Sequence, residues 1–325
     1  MSNTIHTNNN AERDIPPIEQ LMETLQKTIK FAWNIEGKMH KQSIYRWLSN
    51  FTGEALVAEN SSEEEKTEAI MREQQLALFL LCNFVFYNEN EVKYLTKLSF
   101  KKYIHAHCVK ESMETLSARE LNNLLDKTRF SYLGKPSESS SYLLYLFRQE
   151  NYLAINMFDN IKKGDNIVLV DDFSISGSQA VGYLKEKINE CGRDKNYYLL
   201  LMIATEDALC ELNKIDGVTI LPCISLSETS KTFSPESIAF SGYKSCYAED
   251  AKKMCEHYGA KLTGDGSKTQ PLGYGGSGYL FGAYYNIPNN TLPIIWSSSN
   301  NWKPIFKRQN KRYAKHDISS GGHYV

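Results

Sequence analysis

Neither sign of charge dominates this chain, in which 37 basic residues stand against 38 acidic ones over 325 positions. No overall field therefore argues for a nucleic acid or a membrane surface as its default partner. C-x-x-C pairs are absent. The seven cysteines (Cys82, Cys108, Cys191, Cys210, Cys223, Cys246 and Cys255) are odd in number and widely scattered, which excludes a disulfide framework and fits reduced intracellular thiols. Long apolar runs are also missing: Leu76 to Phe86, interrupted by Cys82 and Asn83, falls short of the roughly 20 residues that a membrane-spanning helix needs. The polar, Asn-rich start MSNTIHTNNNAERDI lacks the apolar centre of a secretory signal, and residues 1–15 read as disordered. No internal repeat is visible. These absences point to a cytoplasmic protein with no membrane association and with room for two modest domains or one large domain with an extension.

Residues 16–127 carry helical patterning. PPIEQLMETLQKTIKFAWNIE opens on prolines suited to a helix start and places Ile18, Leu21, Leu25, Ile29 and Ala32 three and four apart, which predicts one amphipathic helix. A second is expected over His40 to Phe51. The third begins at SSEEEK, where Ser61 and Glu64 have capping-box spacing, and its later half is apolar all round, as in a central buried helix. Two more are expected over Val92 to Cys108 and Ser117 to Asp126. His105, His107 and Cys108 are read as packed or solvated side chains rather than zinc ligands, because residues two apart face different sides of a helix and no second cluster completes the set.

The pattern changes at Thr128. Arg129 to Leu133 reads as a strand, Gly134-Lys135-Pro136-Ser137-Glu138 as a loop, and Ser139 to Asn151 as a helix. A strand, a glycine-bearing loop and a helix start together make an anion-site arrangement, although an ordinary turn with a helix cap has the same outline. Ile167 to Val170 is an unbroken β-favouring run, as in a parallel strand covered on both faces. Asp171 and Asp172 follow at its carboxyl end, where open α/β sheets bind their ligands. The loop Ser174-Ile175-Ser176-Gly177-Ser178-Gln179 then supplies hydroxyls, a glycine and the free N–H groups of a helix start, a combination that favours phosphate. Strands over Tyr197 to Thr205 and Val218 to Ile224, with a helix between them, extend a parallel sheet. Later, Gly273, Gly275, Gly276 and Gly278 either let a ligand approach the backbone or form a mobile loop.

The apolar strand, acid pair and Ser-Gly-Ser loop resemble the motif with which type I phosphoribosyltransferases bind phosphoribosyl pyrophosphate (PRPP). The resemblance implies that Asp171 and Asp172 hold the ribose hydroxyls close to a Mg²⁺ ion, and that Ser174, Ser176, Gly177, Ser178 and Gln179 surround the 5′-phosphate. It also places Gly134, Lys135, Ser137 and Ser139 in a pyrophosphate loop, with Lys135 stabilising the leaving pyrophosphate. Two departures stand out: only about Tyr152 to Asn166 remain where family members carry a long mobile hood, and Ile175 lies where some purine-specific members carry an acid. Phe147-Arg148-Gln149-Glu150-Asn151, VDDFSISGSQ and PNNTLPIIW with Trp302-Lys303-Pro304 narrow the likeness. Over Thr128 to Arg308 the chain resembles the phosphoribosyltransferase-like PRTase-CE family of bacterial conflict systems, found among other places beside retron reverse transcriptases.

The fold expected is α/β, with a parallel-sheet phosphoribosyltransferase-like domain at 128–308 preceded by the helical region 16–127 and followed by a basic tail at 309–325. Lys303, Lys307, Arg308, Lys311, Arg312 and Lys315, interleaved with Phe306 and Tyr313, either grip a nucleic-acid backbone or form a solvated terminus. Two functions follow from the resemblance. One is an antiphage effector that uses PRPP or a related phosphoribosyl nucleotide with Mg²⁺; the other is a nucleotide-sensing or scaffold subunit that kept the cradle without turnover. Either one docks a protein or nucleic-acid partner through the helical region or the tail.

Overall fold

The computed structural model describes residues 12–136, 138–263, 270–299 and 301–307. Its helical part contains α1 (Ile18–Lys27), α2 (Lys41–Leu48), α3 (Glu63–Cys82), the short strand β1 (Val85–Tyr87), α4 (Glu89–Lys110) and α5 (Ala118–Asp126). The α/β part follows as β2 (Thr128–Tyr132), α6 (Ser139–Glu150), β3 (Asn166–Ser174), α7 (Ser178–Cys191), β4 (Asn196–Thr205), α8 (Glu206–Leu212) and β5 (Val218–Leu226). The chain ends in α9 (Ser245–Thr263), β6 (Phe281–Ala283) and α10 (Pro293–Trp296).

Strands β2, β3, β4 and β5 form one parallel sheet in sequence order, with Phe130 beside Val168 and Leu169 beside Leu199. Its alternating side chains meet two different layers. Val168, Val170, Tyr198 and Leu200 pack with Val92, Tyr103, Leu143 and Phe147 of α4 and α6, while Ile167, Leu169, Leu199 and Leu201 pack with Leu184 and Leu212 of α7 and α8. Cover on both faces explains why these strands read as unbroken apolar runs rather than alternating ones. Removing such a side chain, as in Leu169→Ala, costs about 2–5 kcal/mol.

The helical region shares its core with the end of the chain. Trp47, Leu76, Leu80 and Phe51 cluster with Met254, Tyr258, Ile294, Ile295 and Trp302. The indole N–H groups of Trp47 and Trp302 both donate to the Ile294 carbonyl, at 2.8 and 3.3 Å. Strand β1 pairs in parallel with β6 across the same seam. The apolar run around it has no period of two to betray a strand, and the expected reading of 16–127 as all helix misses it.

Four local expectations shift. The helix predicted to run on past Lys27 changes to a π-helical turn at Thr28–Ala32, which leaves Ile29 and Trp33 buried and Phe31 exposed. The capping box of α3 uses Ser62 and Glu65, one residue later than Ser61 and Glu64, since the sequence SSEEE satisfies the motif in either register. Of the polar start 1–15, residues 12–15 are described and held in place: Arg13 pairs with Tyr243, Asp14 accepts from Tyr247 and Lys244, and Ile15 is buried. Phe306, counted above with the basic aromatic tail, stacks on Phe84 and Phe86 with ring centroids 5.1 Å apart; residues 308–325 lie outside the described residues. Among the described residues no helix is long and apolar enough to cross a membrane.

Candidate functional site

The site forms because two neighbouring strands end at different heights. β2 stops at Tyr132, opposite Val170, and the Leu133 N–H donates to the Val170 carbonyl before the chain turns away at Gly134, whose φ is +114°. β3 continues to Ser174, so Asp171 and the residues after it lack a neighbour on that side. The gap opens into a cavity of about 250 Å³. Its floor is Asp171, Asp172 and Phe173 to Ala180; one side is Leu133, Glu138, Ser139 and Ser140, with Tyr183; the other is Tyr274, Asn286, Pro288, Asn289 and Asn290.

The acid pair therefore lies within the second half of β3 rather than beyond it, and neighbouring groups fix it closely. Asp171 Oδ1 accepts the Asp172 N–H at 2.9 Å, and Asp172 Oδ1 accepts the Phe173 N–H at 3.0 Å. Asp172 Oδ2 accepts from the side-chain amide of Asn286 at 3.0 Å. Burial, and next the charge of Asp172, push the Asp171 carboxyl well above the usual carboxylate range, and the Glu138 charge adds to the effect. Burial, followed by the charges of Asp172 and Asp171, likewise keeps the Tyr285 phenol protonated. This crowding of negative charge is the condition that a divalent cation relieves. Among the described residues no three acidic, histidine or cysteine side chains form a metal cage. Two adjacent carboxylates still suit Mg²⁺, which completes its shell with water and ligand oxygens.

Beyond the pair, the loop runs into α7 through Gly177, at φ +73°. A Cβ there would sit 3.0 Å from Glu211 Cβ and 3.1 Å from the Ala208 carbonyl oxygen, so only glycine fits both the angle and the approach to α8. Thr205 holds the same loop by donating its hydroxyl to the Ile175 carbonyl, while accepting from the Ala208 N–H. No side chain caps α7, and its first amides open at the cavity with Ser176, Ser178 and Gln179. An anion placed there meets N–H dipoles and hydroxyls.

The structure brings Asp171, Asp172, Ser174, Ser176, Gly177, Ser178 and Gln179 together around this one cavity. Gly134 lies at its edge without lining it. Lys135 is exposed and also outside the lining; its backbone N–H donates to Glu138 Oε2 at 3.1 Å. Ser137 lies outside the described residues. Sequence reasoning missed Glu138, Ser140 and Asn286, and left Tyr274, within the cluster Gly273 to Gly278, between a ligand approach and a mobile loop. The wall from Tyr274 to Asn290 is built by Gly273, at φ +87° and in close contact with the Asn290 carbonyl, and by Asn290, whose amide donates to the Tyr274 carbonyl at 3.0 Å. Between α6 and β3 there are only two 3-10 turns, Ile155–Phe158 and Ile161–Lys163, so the late segment supplies the wall where a hood was missing.

A family model described as PRTase-CE matches residues 44–308. The chain belongs to the PRTase-CE family. No curated protein matches it. The PRTase-CE match starts within α2, well before Thr128, so the family's extent includes most of the helical region that the motif resemblance left out. The α/β fold with its parallel sheet is thus that of a PRTase-CE protein.

Proposed function

We propose that this protein is a phosphoribosyltransferase-like effector that binds PRPP or a related phosphoribosyl nucleotide together with Mg²⁺, and that it acts in the bacterial cytoplasm in antiphage defence. The observation that carries the reading is the single cavity in which Asp171 and Asp172 stand beside the uncapped start of α7. Carboxylates accept hydrogen bonds from vicinal ribose hydroxyls, and the amides of α7 with Ser176 and Ser178 favour a phosphate. Asp171 and Asp172 would also hold Mg²⁺, which when bound offsets their charge and that of the ligand. The defence role rests on family membership alone.

A second reading, a nucleotide-sensing subunit without turnover, is favoured by the lining of the cavity: among its described residues there is no lysine or arginine to stabilise a departing pyrophosphate. One experiment tests the proposal and separates the two. PRPP and nucleotides are titrated calorimetrically with Mg²⁺ into the wild type and Asp171→Asn/Asp172→Asn, followed by a pyrophosphate-release assay with a nucleobase panel. Binding that depends on the acid pair supports a phosphoribosyl site, and release then marks an enzyme. A folded wild type that binds none of these compounds overturns the proposal.

A further inference from the structure

The far wall of the cavity differs in character from its floor. The floor carries two carboxylates and the open amides of α7, whereas the wall of Tyr274, Asn286, Pro288, Asn289 and Asn290 bears no formal charge. A phosphate set against that wall would meet no cationic partner, so the wall suits a neutral part of a ligand. Asn286, in the same wall, donates to Asp172 and thereby sets the wall beside the acid pair.

Tyr274 is held by its backbone rather than by its side chain. Its N–H donates to the Asn289 carbonyl at 2.8 Å, and its own carbonyl accepts the Ser277 hydroxyl at 2.7 Å and the Asn290 amide at 3.0 Å. The residue is nevertheless 45% exposed, and among the described residues its ring and hydroxyl have no hydrogen-bond or ring partner. Asn289 repeats the arrangement. Its carbonyl is engaged by Tyr274, while the residue is exposed and its carboxamide has no hydrogen-bond partner among the described residues. An aromatic ring and a free carboxamide thus stand on two segments that are hydrogen-bonded to each other at one wall of the cavity.

We infer that this wall is a nucleobase subsite, in which Tyr274 stacks on the base and Asn289 reads its edge. The inference rests on the phosphoribosyl reading above and adds the base to it. With phosphate at the start of α7 and the ribose hydroxyls on Asp171 and Asp172, a flat, neutral substituent on the sugar is what the uncharged wall accepts. Stacking on an aromatic side chain tolerates any base, because every base has a π face. The carboxamide is more selective: its adjacent donor and acceptor match the N6 and N7 edge of adenine. The backbone hydrogen bonds fix both residues before a ligand arrives, so less order remains to be gained on binding. The ligand class is therefore a base-bearing nucleotide, with adenine the best-matched base.

The test compares AMP with ribose 5-phosphate, which carries the same sugar and phosphate without a base. Both are titrated calorimetrically with excess Mg²⁺ into the full-length wild type, Tyr274→Phe, Tyr274→Ala and Asn289→Ala, with circular dichroism to verify folding. The expected result is AMP binding at least about tenfold more tightly than ribose 5-phosphate in the wild type, an advantage that the conservative Tyr274→Phe retains. In Tyr274→Ala the ratio should fall by about tenfold and in Asn289→Ala by about threefold, with ribose 5-phosphate affinity held within about twofold. If Tyr274→Ala is unfolded, the wild-type ratio and Asn289→Ala decide. Wild-type protein that holds ribose 5-phosphate as tightly as AMP, or a ratio unmoved in the folded variants, overturns the nucleobase subsite and leaves the phosphoribosyl reading standing. Binding of neither compound also overturns the subsite, and the phosphoribosyl reading falls with it if PRPP fails to bind as well.

Discussion

Asn286 donates its side-chain amide to Asp172 Oδ2 at 3.0 Å, so a residue 114 positions later in the chain fixes one carboxylate of the acid pair. Asn286 also exchanges backbone hydrogen bonds with Ala283 in the segment that forms the far wall. A hydrogen bond to a charged group contributes about 1.5–3 kcal/mol. Asn286→Ala should therefore weaken nucleotide binding by about tenfold, and Asn286→Asp should weaken it more by adding a like charge. Calorimetry on the two variants, with melting curves to verify folding, checks the order.

Gly177 is the second point at which the site depends on a single residue. Its φ of +73° and its 3.0 Å approach to Glu211 Cβ leave no room for a side chain. Gly177→Ala should cost about 1–3 kcal/mol of stability and displace the start of α7. Ligand affinity should fall further than stability does, because the anion-facing amides move with the loop. Urea denaturation and calorimetry on the same variant separate the two effects.

Far from the cavity, the buried Glu73 carboxylate accepts from the N–H groups of Gly53 and Ala55, each at 2.8 Å, and from the Tyr258 hydroxyl at 2.6 Å. It ties the segment after α2 to α3 and α9. Glu73→Ala removes the shared acceptor of these three donors, the buried Gly53 N–H among them, and should destabilise the fold by about 3–5 kcal/mol, with Tyr258→Phe costing about 1–2 kcal/mol. Denaturation midpoints test both. Tyr258→Phe, which keeps the core packed, should leave nucleotide affinity unchanged.

The thiols should divide into two classes under alkylation. Burial pushes Cys82 up to about 12 and Cys223 up to about 11, whereas Cys210 and Cys246 are exposed. The thiolate is the reactive form, and a raised pKa lowers its fraction at any given pH. At pH 8 a thiol titrating near 11 is about one part in a thousand ionised, so Cys82 and Cys223 should label only on unfolding, or slowly as pH rises toward those values. Mass-spectrometric mapping after a short iodoacetamide pulse should find Cys210 and Cys246 modified first.

Much of the sheet and the floor of the cavity was legible because each rests on a local pattern. Val168 and Leu169 lie in an apolar run that only a doubly covered strand explains, and Asp171 through Gln179 are contiguous in sequence. The walls were not legible in the same way. Glu138 reads as an unremarkable loop acid, and its place beside Asp171 arises from β2 ending at Tyr132 and the turn at Gly134. Asn286 reaches Asp172 only through the docking of the late segment, which no local period encodes. β1 was hidden because Leu76 to Phe86 is apolar on every side, so neither a period of two nor one of 3.6 stands out. The pattern Gly273-Tyr274 with Asn289-Asn290 was a partial signal: glycine at +87° against the Asn290 carbonyl shows the close approach to be between two protein segments.

One cavity is proposed to hold a ribose on Asp171 and Asp172 with its phosphate at the start of α7. A crystal structure of the protein with a nucleoside 5′-monophosphate and Mg²⁺ tests it most directly. The expected density has phosphate oxygens on the amides of Ser178 and Gln179, and the ribose hydroxyls or the metal on the two carboxylates. Density for the nucleotide elsewhere, with the cavity holding only solvent, would contradict it.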